Sequence, residues 1–174
     1  MRTLTEIVAF ARSMLDEETE VFWGDTELLR FINFEYQALT SELRSSYSHM
    51  YEKSVDISTI SGERLVSIAS DFAFQVIGVI DKDNDVALEP MDRRVFMATK
   101  GRTYTGRPVK FDVQGRNLWL YPCPDMVYNL EVHYVYAPPD LSGSDEVDFP
   151  IGYEDVIALG AVRRAMMKDR QDTT

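Results

Sequence analysis

The sequence holds a single cysteine, Cys123, so no intrachain disulfide can staple it, which fits a reducing compartment. It has no run of ~18 apolar residues, so no segment reads as a membrane-spanning helix. The opening MRTLTEIVAF places Glu6 inside a helical pattern, unlike the uncharged apolar centre of a signal peptide. Histidine is scarce: only His49 and His133 are present, and no nucleophile elbow accompanies Ser45, Ser46 and Ser48. Neither a Gly-x-Gly-x-x-Gly fingerprint nor a Walker loop occurs; Gly101-Arg102 and Gly106-Arg107 do not make one. Positive charge is also short, with 18 Lys and Arg against 29 Asp and Glu and a net charge of −11. That balance repels a phosphate backbone and excludes nucleic-acid binding by charge neutralisation, though not a protein past which DNA merely slides.

What the chain does have is apolar and aromatic residues, 45% and 11% of its 174 positions, enough for a real core. Its length fits one domain, or one domain with an inserted lobe. Thr3-Leu4-Thr5-Glu6 reads as a capping box opening a short amphipathic helix through Leu15, with Leu4, Ile7, Val8, Ala11 and Met14 on one face. The acidic run Asp16 to Glu20 opposes a helix C-terminal dipole and is placed beyond that helix. Asp25 is a good N-cap for a second helix, whose stripe Leu28, Ile32, Tyr36, Leu39, Leu43 and Tyr47 predicts about 25 residues over 25–48, or ~38 Å. The first helix is too short to cover that stripe.

From Val55 the period changes to two. Val55 and Ile57 with Leu65 to Ile68, around Ser61-Gly62-Glu63-Arg64, suggest a hairpin. Phe72 to Ile80 is a strand, and Val109, Phe111 and Val113 make another before the turn Gln114-Gly115-Arg116-Asn117. Asn117 to Leu141 reads as two strands folded on each other about Pro122-Cys123-Pro124-Asp125. Six or seven short strands between 55 and 136 imply an antiparallel sheet or small sandwich. Met91 to Pro108 reads as an exposed loop with a helical turn. Pro138-Pro139 ends the strands, and Pro150 precedes a last helix over 152–168 whose small-residue face is Val156, Ile157, Gly160, Ala161 and Ala165. The expected fold is α+β: a small bundle of two N-terminal helices and a C-terminal helix, with an antiparallel β lobe inserted. The segments are 1–51, 52–139 and 140–174.

The candidate chemistry is weak. Asp81-x-Asp83-x-Asp85 with Glu89 and Asp92 occupies calcium-loop positions, but Val86 stands where the loop needs glycine and the flanks are strand-like. A solvated turn is the better reading. His133 alternates on a strand, towards solvent. Cys123 has no basic neighbour to depress its pKa and reads as inert. Trp119, Tyr121, Tyr128, Tyr134 and Tyr136 alternate on strands, more commonly a core or protein-binding face than a ligand platform. No catalytic residue, cofactor or metal ligand is assigned.

The order of motifs along the chain is more informative. It runs Asp25-x-x-Leu28-Leu29-x-Phe31-Ile32-Asn33, Ser70-Asp71-Phe72, Leu88-Glu89-Pro90 and Gly106-x-Pro108-x-x-Phe111. It continues with Leu118-x-Leu120-Tyr121-Pro122-x-Pro124-Asp125, Tyr128-x-Leu130, Tyr134, Pro138-x-x-Leu141 and Pro150-x-x-Tyr153-x-Asp155. From about residue 3 to 168 this ordered set resembles the head-to-tail adaptor, or connector, proteins of tailed bacteriophages. The resemblance implies a structural virion protein at the head–tail junction, assembled in the host cytoplasm. Its copies would form a ring under the portal protein, contact downstream tail proteins, and let DNA pass without sequence-specific binding. The competing reading is a monomeric β-sandwich binding module or a metal-dependent hydrolase with ligands among the acids.

Charge is segregated along the chain. Residues 93–116 hold seven Lys or Arg and one acid, Asp112, whereas 16–27 and 140–155 each hold six acids and no base. A ring contact is heterologous and needs two complementary faces. The expectation is that Arg93, Arg94, Arg102 and Arg107 face acids of a neighbouring subunit or of the portal.

Overall fold

The computed structural model describes residues 3–17, 22–99, 104–143, 145, 147 and 152–172. The chain forms two compact units: Met1–Ser45 with Pro138–Thr174, and Ser46–Ala137. The first is helical and the second mostly β, so the fold class is α+β.

In the helical unit, α1 spans Leu4–Met14, and the expected capping box is present in full. The Thr3 N–H donates to Glu6 Oε2 at 2.8 Å, and the Glu6 N–H donates to Thr3 Oγ1 at 3.3 Å. The second helix, α2, covers Asp25–Ser46 and buries Leu28, Ile32, Tyr36 and Leu43 of the stripe read from the sequence, with Thr40 buried beside them; Leu39 is half-buried, and Tyr47, expected on the stripe, lies past the helix end and is exposed. A C-terminal helix spans Glu154–Asp172 and packs on both: it lies against α1, and its Arg164 pairs with Glu35 of α2. Ile157, Ala158, Ala161, Val162 and Ala165 form its buried side. Val156, expected on that side, is half-exposed instead, because the 3.6-residue period carries it round with Leu159. Gly160 earns its place by close approach. A Cβ there would meet the Glu35 side chain at 2.6 Å, so glycine leaves room for the Glu35–Arg164 pair.

One member of the acidic run is structural. Glu17 is buried beside Arg12, with 3.8 Å between Arg12 Nη1 and Glu17 Oε2, and it accepts from the backbone N–H groups of Phe22 and Trp23. Arg12 in turn donates to Trp23 O at 3.1 Å and to the Asp25 carboxylate. The α1–α2 corner is therefore fastened by a buried guanidinium. Glu18 to Glu20 lie outside the described residues.

The β unit begins with a 3-10 turn over Ser48–Tyr51. It continues through β1 (Glu52–Ser58), β2 (Leu65–Ser67), β3 (Phe72–Asp81), β4 (Val86–Ala87) and β5 (Glu89–Pro90). After the short helix α3 (Arg93–Thr99) come β6 (Lys110–Gln114), β7 (Asn117–Tyr121) and β8 (Asn129–Tyr136). Counting the C-terminal helix as α4, this gives four helices and eight strands among the described residues. Two four-stranded sheets result, ordered β1-β8-β3-β4 and β2-β7-β6-β5. All pairs are antiparallel except the two-residue β5–β6 pair. The β6–β7 hairpin matches its sequence signal, with Gly115 at φ 60° in the tight turn where a side chain would be strained.

Two expected hairpins are not hairpins. β1 pairs with β8 and β2 with β7, so Val55 to Ile68 crosses from one sheet to the other. β7 and β8 likewise sit in different sheets. The reason is that the two connections bond to each other. The Thr59 N–H donates to Tyr128 O at 2.9 Å, the Tyr128 N–H donates to Thr59 Oγ1 at 2.8 Å, and the Gly62 N–H donates to Pro124 O at 2.8 Å. Met91 to Pro108 contains the seven-residue α3, anchored by Phe96 edge-on to Trp119 with ring centroids 5.1 Å apart.

Replacing Arg12 with Ala should leave Glu17 buried without its cation. Breaking a buried pair in this way costs ~3–5 kcal/mol. Thr3→Ala removes a helix cap and should cost about 1 kcal/mol. Urea unfolding of both variants checks this: similar midpoints would show that Arg12 does not fasten the corner.

Candidate functional site

The residues read from the sequence as contact candidates divide in the structure. Arg93 and Arg94 stand exposed on the first turn of α3. The Arg93 Nη1–H donates to Asp112 Oδ2 of β6 at 2.9 Å, but the arginine side chain keeps more than half its surface in water. The Arg94 backbone N–H is taken by Asp92 Oδ1 at 2.8 Å, which starts the helix. Exposed Val95 and Met97 on the same helix, with Tyr104 beyond it, give this region a mixed basic and apolar surface. Arg102 lies outside the described residues.

Arg107 is turned inward. Its Nη2–H donates to Asp81 Oδ1 at 2.7 Å and its Nε–H to Asp81 Oδ2, with Asp83 Oδ2 3.7 Å away. The guanidinium carbon lies 4.8 Å from the Tyr128 ring centroid. The Tyr128 hydroxyl donates to Asp125 Oδ1 at 2.6 Å, a bond that raises its pKa, with burial adding to the effect. Asp81 is buried, and the Arg107 hydrogen bonds hold its carboxyl below the usual range despite the opposing cost of burial. The loop read as a possible calcium site is thus an arginine site. Asp83 accepts from the Asn129 side chain and backbone N–H at 3.3 Å, and its own N–H donates to Asp81 Oδ1 at 3.1 Å. Asp85 takes a left-handed φ of 54° in the turn. Among the described residues, no three His, Cys, Asp or Glu converge as a metal-ligating group.

A second, partly exposed network ties β1 and the residue before β3 to β8. The Tyr134 hydroxyl donates to Asp71 Oδ1 at 2.7 Å, and Lys53 Nζ donates to Asp71 Oδ2 at 3.2 Å while lying 4.0 Å from the Tyr136 ring centroid. Burial first, then the Asp71 carboxylate, pushes the Tyr134 pKa up to about 12. The aromatic alternation in the sequence is therefore largely core: Tyr128, Tyr134 and Tyr136 are all buried. Cys123 is buried too, and its N–H donates to Tyr104 O at 3.1 Å. His133 lies 3.6 Å from Glu131, partly exposed.

Sequence reasoning missed the partners, Asp81 for Arg107 and Asp112 for Arg93. The pairs are 26 and 19 residues apart, and each joins a residue of a strand to an arginine on a helix or loop that only the folded chain brings close. An alternation signal did exist for Asp112, flanked by the apolar Phe111 and Val113.

Among the described residues, Arg12, Arg107 and Arg164 tie parts of the fold to one another, while Arg93 and Arg94 stand on the surface. The chain belongs to the SU10 adaptor protein family, whose sequence model matches residues 2–174. This makes it a structural adaptor of tailed bacteriophages. No curated protein matches the chain.

Removing Arg107 tests the inward pair. Arg107→Ala should lower the melting temperature at pH 7, because it leaves the buried Asp81 carboxylate without its charged hydrogen-bond donor. Asp81 titrates lower folded than unfolded, so the pair stabilises above the ordinary aspartate pKa of about 4 and fades as pH falls through the depressed value. Thermal melts from pH 7 downward should show parent and variant converging in acid. A gap that persists would mean that Arg107 acts by packing on Tyr128.

Proposed function

We propose that copies of this chain form a ring under the portal protein at the head–tail junction, joining capsid to tail and leaving a channel for DNA. The family match over residues 2–174 carries this reading. Charge distribution supports it. Residues 1–45 and 138–174 hold 17 Asp and Glu against eight Lys and Arg, a net −9, while 46–137 hold 12 against ten, a net −2. An acidic lining repels DNA and lets it slide. A heterologous ring contact joins unlike faces of successive subunits, and a chain with one acidic and one near-neutral, locally basic unit supplies them.

On this reading Arg93, Arg94 and Arg102 face acids of the next subunit or of the portal. Arg107 shares their stretch of chain, but its guanidinium is engaged with Asp81 and Asp83 and acts by holding that stretch in place. Assembly is placed in the host cytoplasm, with tail proteins docking afterwards. Imaging the purified chain mixed with its portal tests the whole scheme: a ring of copies below the portal is expected, and a portal free of it refutes the scheme.

The contact has its own test. Exposed ion pairs contribute ~0–1 kcal/mol each and weaken with salt, so several must act together. Reversing Arg93, Arg94 and Arg102 to Glu should reduce ring formation or portal docking at low salt, followed by native mass spectrometry across a salt series. The parent should lose assembly as salt rises. Equal assembly by the triple variant would assign these arginines to ordinary solvated surface.

A further inference from the structure

In the helical unit, α2 and α4 form the walls of an open cavity of about 290 Å³, lined by Glu27, Arg30, Phe31, Phe34, Arg164 and Lys168. Three cations therefore converge in a unit that holds 17 Asp and Glu against eight Lys and Arg. Two of the three are answered by acids. Lys168 Nζ donates to Glu27, and the Arg164 Nε–H donates to Glu35, an acid outside the cavity wall.

The third is not. Arg30 is exposed on α2 and, among the described residues, its guanidinium makes no hydrogen bond or ion pair. Glu27, three residues earlier on the same helix, stands where such a partner would be, but it is engaged by Lys168. Asp140, which lines an adjoining hollow together with Arg30, accepts instead from Gln37 Nε2 at 3.0 Å. Arg164 also has donors left over. Its bond to Glu35 uses Nε, and its two terminal nitrogens donate to no group among the described residues. The Phe34 ring steadies that guanidinium, whose carbon lies 3.7 Å from the ring centroid. Phe34 itself is 56% exposed, a large apolar side chain facing water in the middle of a helix.

We infer that this cavity binds a carboxylate or phosphate group carried on an apolar body. Arg30 and Arg164, on two helices, offer the forked N–H donors that such oxygens accept in pairs. Arg164 is already fixed by Glu35 and Phe34, so it loses little freedom on binding. The apolar body meets Phe34 and Phe31. A bare ion gains less, because the acidic unit around the cavity opposes its approach and only contact with the arginines favours it. Binding here requires no ring and does not involve the basic stretch 93–116.

Chemical shifts of the isotope-labelled full chain, followed through titrations with benzoate, phenyl phosphate, inorganic phosphate and benzyl alcohol, read the site. Benzoate or phenyl phosphate should move the signals of Arg30, Phe34 and Arg164 with about millimolar affinity, and the tighter of the two identifies the head group. Inorganic phosphate, which lacks the apolar body, and benzyl alcohol, which lacks the charge, should each bind about tenfold more weakly. Arg30→Gln should weaken binding of the organic anion about tenfold with an unchanged melting temperature, since Arg30 holds nothing in the fold. Arg116→Gln, at an exposed arginine of the β unit, should leave binding intact. The inference is overturned if these signals do not move, or if Arg30→Gln binds as tightly as the parent. Benzyl alcohol or inorganic phosphate binding as tightly as the organic anions would overturn it too.

Discussion

Thr59 carries the β1–β8 ladder one rung further through three hydrogen bonds at a single buried corner, where both chain segments leave that sheet. Its N–H donates to Tyr128 O, its hydroxyl accepts from the Tyr128 N–H, and the same hydroxyl donates to Met126 O at 3.1 Å. Only a small side chain that both donates and accepts can do this beside its own backbone. Thr59 is 1% exposed, so without these partners its polar groups would lie unsatisfied out of reach of water, at a cost of ~1–3 kcal/mol each. The corner explains why the chain crosses between sheets after β1 and again after β7. The β6–β7 hairpin and the long strand β8 are then free to build the core, with Leu118, Leu120, Leu130 and Val132 all nearly inaccessible to water.

The helices were legible where a single periodic face decides the outcome. Thr3 with Glu6, and Leu28 through Leu43, fix α1 and α2 by local signals, and the structure follows them to within a few residues. The β unit was legible as strands but not as pairings. Alternation in Val55, Ile57, Leu65 and Val66 identifies strand faces, yet pairing depends on contacts such as Thr59 to Tyr128 that lie 69 residues apart. Short-range turn chemistry at Ser61-Gly62 and Pro122 to Asp125 looked like hairpin turns because the same residue types serve any sharp reversal. Glu17 was opaque for a related reason: in an acidic run every carboxylate looks solvated, and only the fold shows that Arg12 reaches one of them.

The same distinction governs the arginines. Arg107 and Arg93 belong to one basic stretch, but burial separates their roles. Asp81 keeps 5% of its side-chain surface, so its partner acts within the fold, while Arg93 spends one N–H on Asp112 and leaves most of its guanidinium to water. Charge counted along a sequence cannot make that division, because it depends on which strand lies opposite.

The strand edges of the two sheets are treated unequally. The β1 edge carries Glu52, Lys53 and Asp56, with Lys82 bonded to Asp56 at 2.7 Å, so an approaching strand would have to strip water from charged groups. The β2 edge is three residues long and offers little to pair with. β3, uncharged from Phe72 to Ile80, combines length with an edge left partly without a strand partner, and register irregularities at Phe72/Val76 and Val76/Gly78 bend it there. At the end of β6, Asp112 accepts from the Val113 N–H, so a local carboxylate satisfies a backbone donor that no strand reaches, which is how this edge stands in water without a ladder partner.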